Sequence, residues 1–394
     1  MRSQAFLPCC AVAILNMQKL PASSSRTQRP PALRRRLGIW SLVFLWCLEL
    51  GCWSFSSRAS DFAFGADLSF LKQAEDRGKI FKDGTNALPG LQIFKNHGYN
   101  WIRLRVFVEP VSNNLPNDLK YTLALAQDAK RLGYKFLLDL HYANSWADPG
   151  KQPTPGAWIH LSTSERTKAV FTYTRHTIAA FRDAGVMPDM VQVGNEITVG
   201  LLWPDGKLPE HWKNFAGYLR AGIKGVEAAS GKASRPKIMI HIDQGGSIAK
   251  THWFFDKLNS YRIPYDVIGF SYYPSWHGTL MDLRDNLAFT ARMYHKDIII
   301  VETAYNWQPV RESTDRVGPF PETPAGQRDF LEELTRIALQ TPDQRCKGIF
   351  WWEPAVGNRG SLVSRSFFDE DGNSLPVLNV FDKYTRPTAR PGNP

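Results

Sequence analysis

Eight short apolar runs, each followed by a longer stretch of helical period, constrain this chain more than any other feature. They lie at Phe64–Asp67, Trp101–Phe107, Phe136–His141, Met190–Glu196, Ile238–Ile242, Val267–Tyr272, Ile298–Glu302 and Gly348–Trp352. The amphipathic segments between them include Leu119–Leu132, Ser164–Ala184, Trp212–Ala229, Thr251–Tyr261, Asp282–Tyr294 and Ala325–Gln340. Ser164 precedes one of these, and Gly133, Gly185 and Gly231 follow three others, as helix start and stop signals. A continuous strand–helix series implies a parallel sheet, and closure into a single-domain (β/α)8 TIM barrel is its simplest solution. An open doubly wound sheet is the alternative; it needs a Gly-rich turn after the first strand, and Gly65-Ala-Asp-Leu is not one.

With 394 residues the chain has room for one such barrel of about 250 residues plus decorations. Its formal charge of +11 is concentrated at the front. Residues 1–60 hold eight Lys/Arg against Glu49 alone, a net of +7, which leaves +4 for the rest and no basic footprint for nucleic acid. The same segment runs from Arg34-Arg35-Arg36 through the apolar stretch Leu37–Trp53 to small polar residues Ser54–Ser60. That order is an export signal, so the expected domains are a leader over 1–60 and a catalytic domain over 61–394, secreted or periplasmic. Retention of the leader as a membrane anchor, a start at Met17 and a lipoprotein-type cleavage at Cys52 are its alternatives. Four of five cysteines fall in the leader, and Cys346 alone cannot form an internal disulfide, so stability is left to the core.

Two of the apolar runs end in a carboxylate, at Glu196 and Glu302. A charge closing a buried strand costs several kcal/mol unless it is paired. Each alone reads equally well as a buried charge held by an arginine, but as the ends of strands four and seven of one barrel the two converge on one face. The loops after strands three, four and seven, Tyr142–Trp158, Thr198–Glu210 and Tyr305–Thr323, are long and rich in Trp, Pro, Gly and Asp, as active-site loops of a barrel are. Paired carboxylates among aromatics suit glycoside hydrolysis, where one donates a proton and the other attacks or activates water. Asn195 beside Glu196 suits a sugar hydroxyl, which makes Glu196 the acid/base. Glu302, with Tyr272 and Tyr273 as partners and Arg103 or Arg105 to lower its pKa, suits the nucleophile.

Several longer stretches carry a resemblance. Gly65-Ala-Asp-Leu-Ser69, Arg103-Leu-Arg-Val106, Asp139–Gln152, Val193–Gly206, Ser271–Gly278 and Val301–Tyr305 resemble glycoside hydrolase family 53, over roughly residues 64–385. These are endo-β-1,4-galactanases acting on the arabinogalactan side chains of pectin. The resemblance implies a retaining mechanism on β-1,4-linked galactose, and it alone supplies galactan; a cellulase, mannanase or xylanase carries the same two glutamates. A silent carbohydrate-binding barrel is expected to lose one glutamate or Asn195, and all three are present.

The expected substrate-binding set is Asn195, Arg105, Asp139, His141, Trp146, Trp203, Tyr272, Trp276, His277 and Trp352, with the tryptophans as stacking platforms. Arg103 and Arg105 are read as facing opposite sides of their strand, so that at most one enters the barrel. No zinc, redox or phosphate-loop motif is present, and no cofactor is expected, with a structural calcium left open. Asp369-Glu-Asp-Gly-Asn373 lacks the later bidentate glutamate of a calcium loop, and 305–323, where some relatives bind calcium, lacks an evident cluster of oxygen ligands. A monomer acting on a polysaccharide is expected, with membrane contact only through a retained leader.

Overall fold

Every apolar run becomes a strand because both of its faces are buried. A computed structural model describes residues 62–385 apart from 113, 232–234, 311–317 and 358. The leader expected over 1–60 lies outside the described residues, as does the middle of the 305–323 loop. The strands are β1 (Ala63–Asp67), β2 (Trp101–Val106), β3 (Lys135–Leu140), β4 (Met190–Val193), β5 (Lys237–Ile242), β6 (Val267–Tyr272), β7 (Asp297–Thr303) and β8 (Cys346–Trp352). All pair in parallel and close into a barrel, with Asp67 of β1 opposite both Arg103 of β2 and Trp352 of β8.

The connecting helices are α1 (Gly90–Asn96), α2 (Leu119–Arg131), α3 (Thr163–Asp183), α4 (Trp212–Ser230), α5 (Ile248–Ser260), α6 (Leu280–Tyr294) and α7 (Pro324–Leu339). The start of α3 differs from expectation. Its cap is Ser162, which accepts from the Glu165 amide while the Glu165 carboxylate accepts from the Ser162 amide. After β8 no long helix forms among the described residues. A 3-10 turn, Pro376–Phe381, and the short helix Asp382–Thr385 cover that side, with Phe381 packed 4.7 Å from the Phe64 ring and His97 held between Asp83 and Asp382.

Period-two alternation divides the strands into two cores. Outward residues such as Ile102, Leu104, Leu138, Val191, Ile240, Phe270 and Ile300 pack with the helices in the larger one. Ala63, Leu137, Met190, Met239, Val267, Ile299, Val301 and Phe350 fill the lower barrel as a separate apolar plug. At Gly65 an added Cβ would lie 2.3 Å from the Phe350 ring, so β1 approaches that ring as only glycine permits. Phe350→Ala is therefore expected to cost about 3–5 kcal/mol in denaturant unfolding, and a loss under about 1 kcal/mol would mean the lower barrel is not close-packed.

Candidate active site

Above the apolar plug the inward positions turn polar, and Arg103 stands at their centre, fully buried. Its Nη1 lies 2.8 Å from Asp67 Oδ2 and 2.7 Å from Glu302 Oε1. Nη2 donates at 2.8 Å to both Asp139 Oδ2 and Asn195 Oδ1, and Nε donates to Gln192 at 3.3 Å. Burial alone would lower the Arg103 pKa, but Asp139, Glu302 and Asp67 together raise it above its ordinary value, so the charge is permanent. Burial likewise raises Asp139, yet Arg103 and His141 hold its pKa down at about 2. His141 Nε2 lies 2.9 Å from Asp139 Oδ2.

Both glutamates reach the cleft through a break in strand geometry. β4 ends at Val193, earlier than expected, because Gly194 and Glu196 both have positive φ, +86° and +47°. The turn lets the consecutive residues Asn195 and Glu196 face one cleft, which an extended strand forbids. An added Cβ at Gly194 would lie 2.7 Å from Ile197 Cγ2, and Gln152 locks the turn by donating to the carbonyls of Asn195 and Glu196 at 2.8 and 3.4 Å. On β7 the pairing registers slip by one residue against both neighbours around Val301. Val301 stays in the lower core, and Glu302, which alternation would turn outward, also enters the barrel.

The two carboxylates experience different fields. Burial raises Glu196 well above the ordinary carboxylate range, and the charges of Glu302 and Asp243 add to the rise, against a Ser271 hydrogen bond and the more distant pull of Arg103. Burial raises Glu302 too, but Arg103 opposes it most strongly; the expected net lowering fails because dehydration outweighs one shared arginine. Tyr273 also donates to Glu302 Oε2 at 3.2 Å. A single proton shared by the pair therefore resides on Glu196. His241, buried beside Arg103, is pushed well below its ordinary pKa and is neutral; its nitrogens lie 3.1 Å from Asn195 Oδ1 and 2.9 Å from Ser271 Oγ.

The cleft over these groups has a volume of about 460 Å³. Of the expected residues, Glu196, Glu302, Asn195, His141, Trp146, Trp276, His277 and Trp352 line it. Asp139 lies beneath, holding Arg103 and His141. Arg105 and Arg103 are both inside the barrel, because positions two apart share a strand face. Arg105 is paired with Glu353 and sits under the Phe70 and Trp146 rings, so the arginine that reaches Glu302 is Arg103.

Two expected contacts are replaced by others. Tyr272 turns outward and donates to Gly278 O at 3.1 Å, leaving Tyr273 on the face of Ser271 to reach Glu302. Trp203 is half-buried, donates to Val199 O at 3.0 Å, and is not among the residues lining this cleft. Asp243 and Arg365 line the cleft and were not foreseen. Asp243 was legible, two positions after His241 on the same strand face. Arg365, 5.5–5.9 Å from the rings of Tyr273, Trp276 and Trp352, ends the short 3-10 turn Gly360–Arg365 beyond β8, which no strand or helix period in the sequence announces. No metal-binding cluster of three or more His, Cys, Asp or Glu occurs among the described residues, and Asp369 Oδ1 accepts from the amides of Asp371 and Asn373.

Comparison with known proteins gives a consistent picture. Residues 63–381 match the family described as Glycosyl hydrolase family 53. An uncharacterised protein of Niallia circulans is 38% identical over 81% of this chain and 93% of its own length. The arabinogalactan endo-β-1,4-galactanase of Cellvibrio japonicus is 33% identical over 81% of this chain and 90% of its own. The solved GH53 catalytic domain of Ignisphaera aggregans superposes with a TM-score of 0.75 at 32% identity, covering 82% of this chain and 95% of that one.

Replacing Arg103 by Met would strand Asp67, Asp139 and Glu302 without their common cation. A stability loss of about 3–5 kcal/mol at pH 7 is expected in urea unfolding. The stranded carboxylates then have folded pKa values above their unfolded ones, so the deficit shrinks as pH falls below 6; a pH-independent deficit would contradict this account.

Proposed function

The chain belongs to glycosyl hydrolase family 53, and from that premise we propose that it hydrolyses internal β-1,4-galactosidic bonds of galactan, the side-chain polymer of pectin, by double displacement with retention. The observation that carries the reading is the unequal setting of two buried carboxylates in one cleft. Glu302, pinned by Arg103 and Tyr273, attacks the anomeric carbon. Glu196 gives its proton to the glycosidic oxygen as the bond from that oxygen to the anomeric carbon breaks.

The intermediate is an ester of Glu302, whose negative charge has gone. After burial, that charge is the largest cause of the raised Glu196 pKa, so its loss lets Glu196, having given up its proton, stay ionised and act as the base that takes a proton from the attacking water. Water then attacks the anomeric carbon, the ester breaks, and both groups return to their starting states. Asn195, held by Arg103 and Gln192, is placed to bind a sugar hydroxyl beside the reacting carbon. Trp146, Trp276 and Trp352 offer apolar faces along the cleft, and binding of several sugar units there would supply positioning energy.

The chemistry requires no cofactor. A polymeric substrate and the export-type order of residues 1–60 both support a secreted or periplasmic enzyme, and it is proposed to act as a monomer. Among the described residues no helix is long and apolar enough to cross a membrane.

The test is reducing-sugar release from linear β-1,4-galactan, with mannan, xylan and glucan alongside, and proton NMR of the first-formed anomer. Retained β-configuration and a loss of about 10³-fold or more in kcat for Glu196→Ala and Glu302→Ala are expected. Activity confined to another polymer would overturn the galactan assignment, and an inverted product would overturn the nucleophile.

A further inference from the structure

The cleft continues past Trp146. That ring also lines a pocket of about 290 Å³ with Arg77, Asn114, Arg359 and Leu362. Arg77 and Arg359 in turn line a larger pocket of about 400 Å³, to which Lys79, Gln73 and Glu370 contribute. Three cationic side chains thus face this extension against one carboxylate, that of exposed Glu370.

Several contacts that position these cations are with neutral groups. Arg359 is half-buried, donates to Gln73 Oε1 and, at 3.0 Å, to Asn114 O, and lies 3.5 Å from the centroid of the Phe70 ring. Arg105 of the active-site layer also lies over that ring, at 4.5 Å, so one aromatic links the two regions. Lys79 donates to the backbone carbonyls of Asp369 and Glu370 at 3.4 and 2.7 Å, and Arg77 Nη2 is 3.5 Å from Asn114 Oδ1. Burial, then Arg77 and Arg105, push the Arg359 pKa down to about 10, which leaves it charged at any working pH.

A neutral galactan presents only hydroxyls, and dehydrating fixed guanidinium groups against hydroxyls alone is unfavourable. A sugar carboxylate matches them, because it is ionised above about pH 4 and takes an arginine fork in two hydrogen bonds. The shared Trp146 wall sets the extension beside the catalytic cleft, within reach of one glycan that occupies both. We propose that this extension is a subsite for a uronate unit, so that the preferred substrate is a galactan chain bearing a sugar carboxylate a few residues from the scissile bond. The proposal rests on the galactanase reading above and deepens its substrate class.

The experiment compares β-1,4-galacto-oligosaccharides of one length that are neutral, or oxidised to a uronate at the non-reducing or the reducing end. At low ionic strength kcat/KM for one uronate form is expected to exceed that for the neutral form about 3–10-fold, and the ratio to fall toward one in ~0.5 M salt. The double variant Arg77→Gln/Lys79→Gln, at one exposed and one half-buried position, is expected to bring the same ratio toward one. Equal rates for all three substrates, or an advantage that survives in the double variant, would overturn the subsite. Calorimetric titration with digalacturonate separates this from failure of the galactanase reading. Binding to the wild type that is lost in the double variant supports the subsite even if no galactan is cleaved, and absence of binding refutes it.

Discussion

Everything catalytic in this barrel hangs from one buried cation. Arg103 contacts Asp67, Asp139, Asn195, Gln192 and Glu302 at 2.7–3.3 Å, which ties β1, β2, β3, β4 and β7 to one point above the apolar plug. A lone guanidinium in that position would be prohibitively dehydrated, and so would its carboxylates without it. The cluster holds together only as a whole, and what it achieves is asymmetry. Glu302 shares the cation, whereas Glu196 lies nearer the charges of Glu302 and Asp243 and is driven to hold a proton. In the proposed mechanism acid and nucleophile are told apart by placement around a common charge.

Fold class was legible because a strand buried on both faces leaves an uninterrupted apolar run, and eight such runs in series admit few closures. Glu196 and Glu302 were visible for the complementary reason, since each ends a run that should not tolerate a charge. How they reach the cleft was not legible. One uses a left-handed turn at Gly194–Glu196, the other a bulge at Val301, and both depend on neighbouring strands and loops. The error over Arg103 and Arg105 was avoidable, because positions two apart always share a strand face. The exchange of Tyr272 for Tyr273 follows from the same count, starting at inward Ser271. Arg365 ends a 3-10 turn and Trp203 rests in an irregular loop, and neither segment has a period to read.

The basic extension and the two buried glutamates are linked by edge-packed aromatics and cations rather than by chain proximity. Arg105 is neutralised by Glu353 and packs under Phe70 and Trp146, which keeps those rings in place at the border of the cleft and its basic extension. Trp146 in turn makes an edge contact with Trp352, 6.1 Å away between centroids. Trp146 and Trp352, which line the cleft, thus pack on the same layer of buried charges that sets the proton in the proposed mechanism.

The most direct test of that account is a ¹³C NMR titration of the two glutamate side chains, in the resting enzyme and in an intermediate trapped on Glu302 with a 2-fluoro galactoside. In the resting enzyme Glu196 is predicted to keep its proton to well above the ordinary carboxylate range, while Glu302 loses its own first. Esterification of Glu302 removes its charge, so the Glu196 pKa is predicted to fall in the trapped form. A proton held longer by Glu302 than by Glu196, or a Glu196 titration that does not move on trapping, would contradict it.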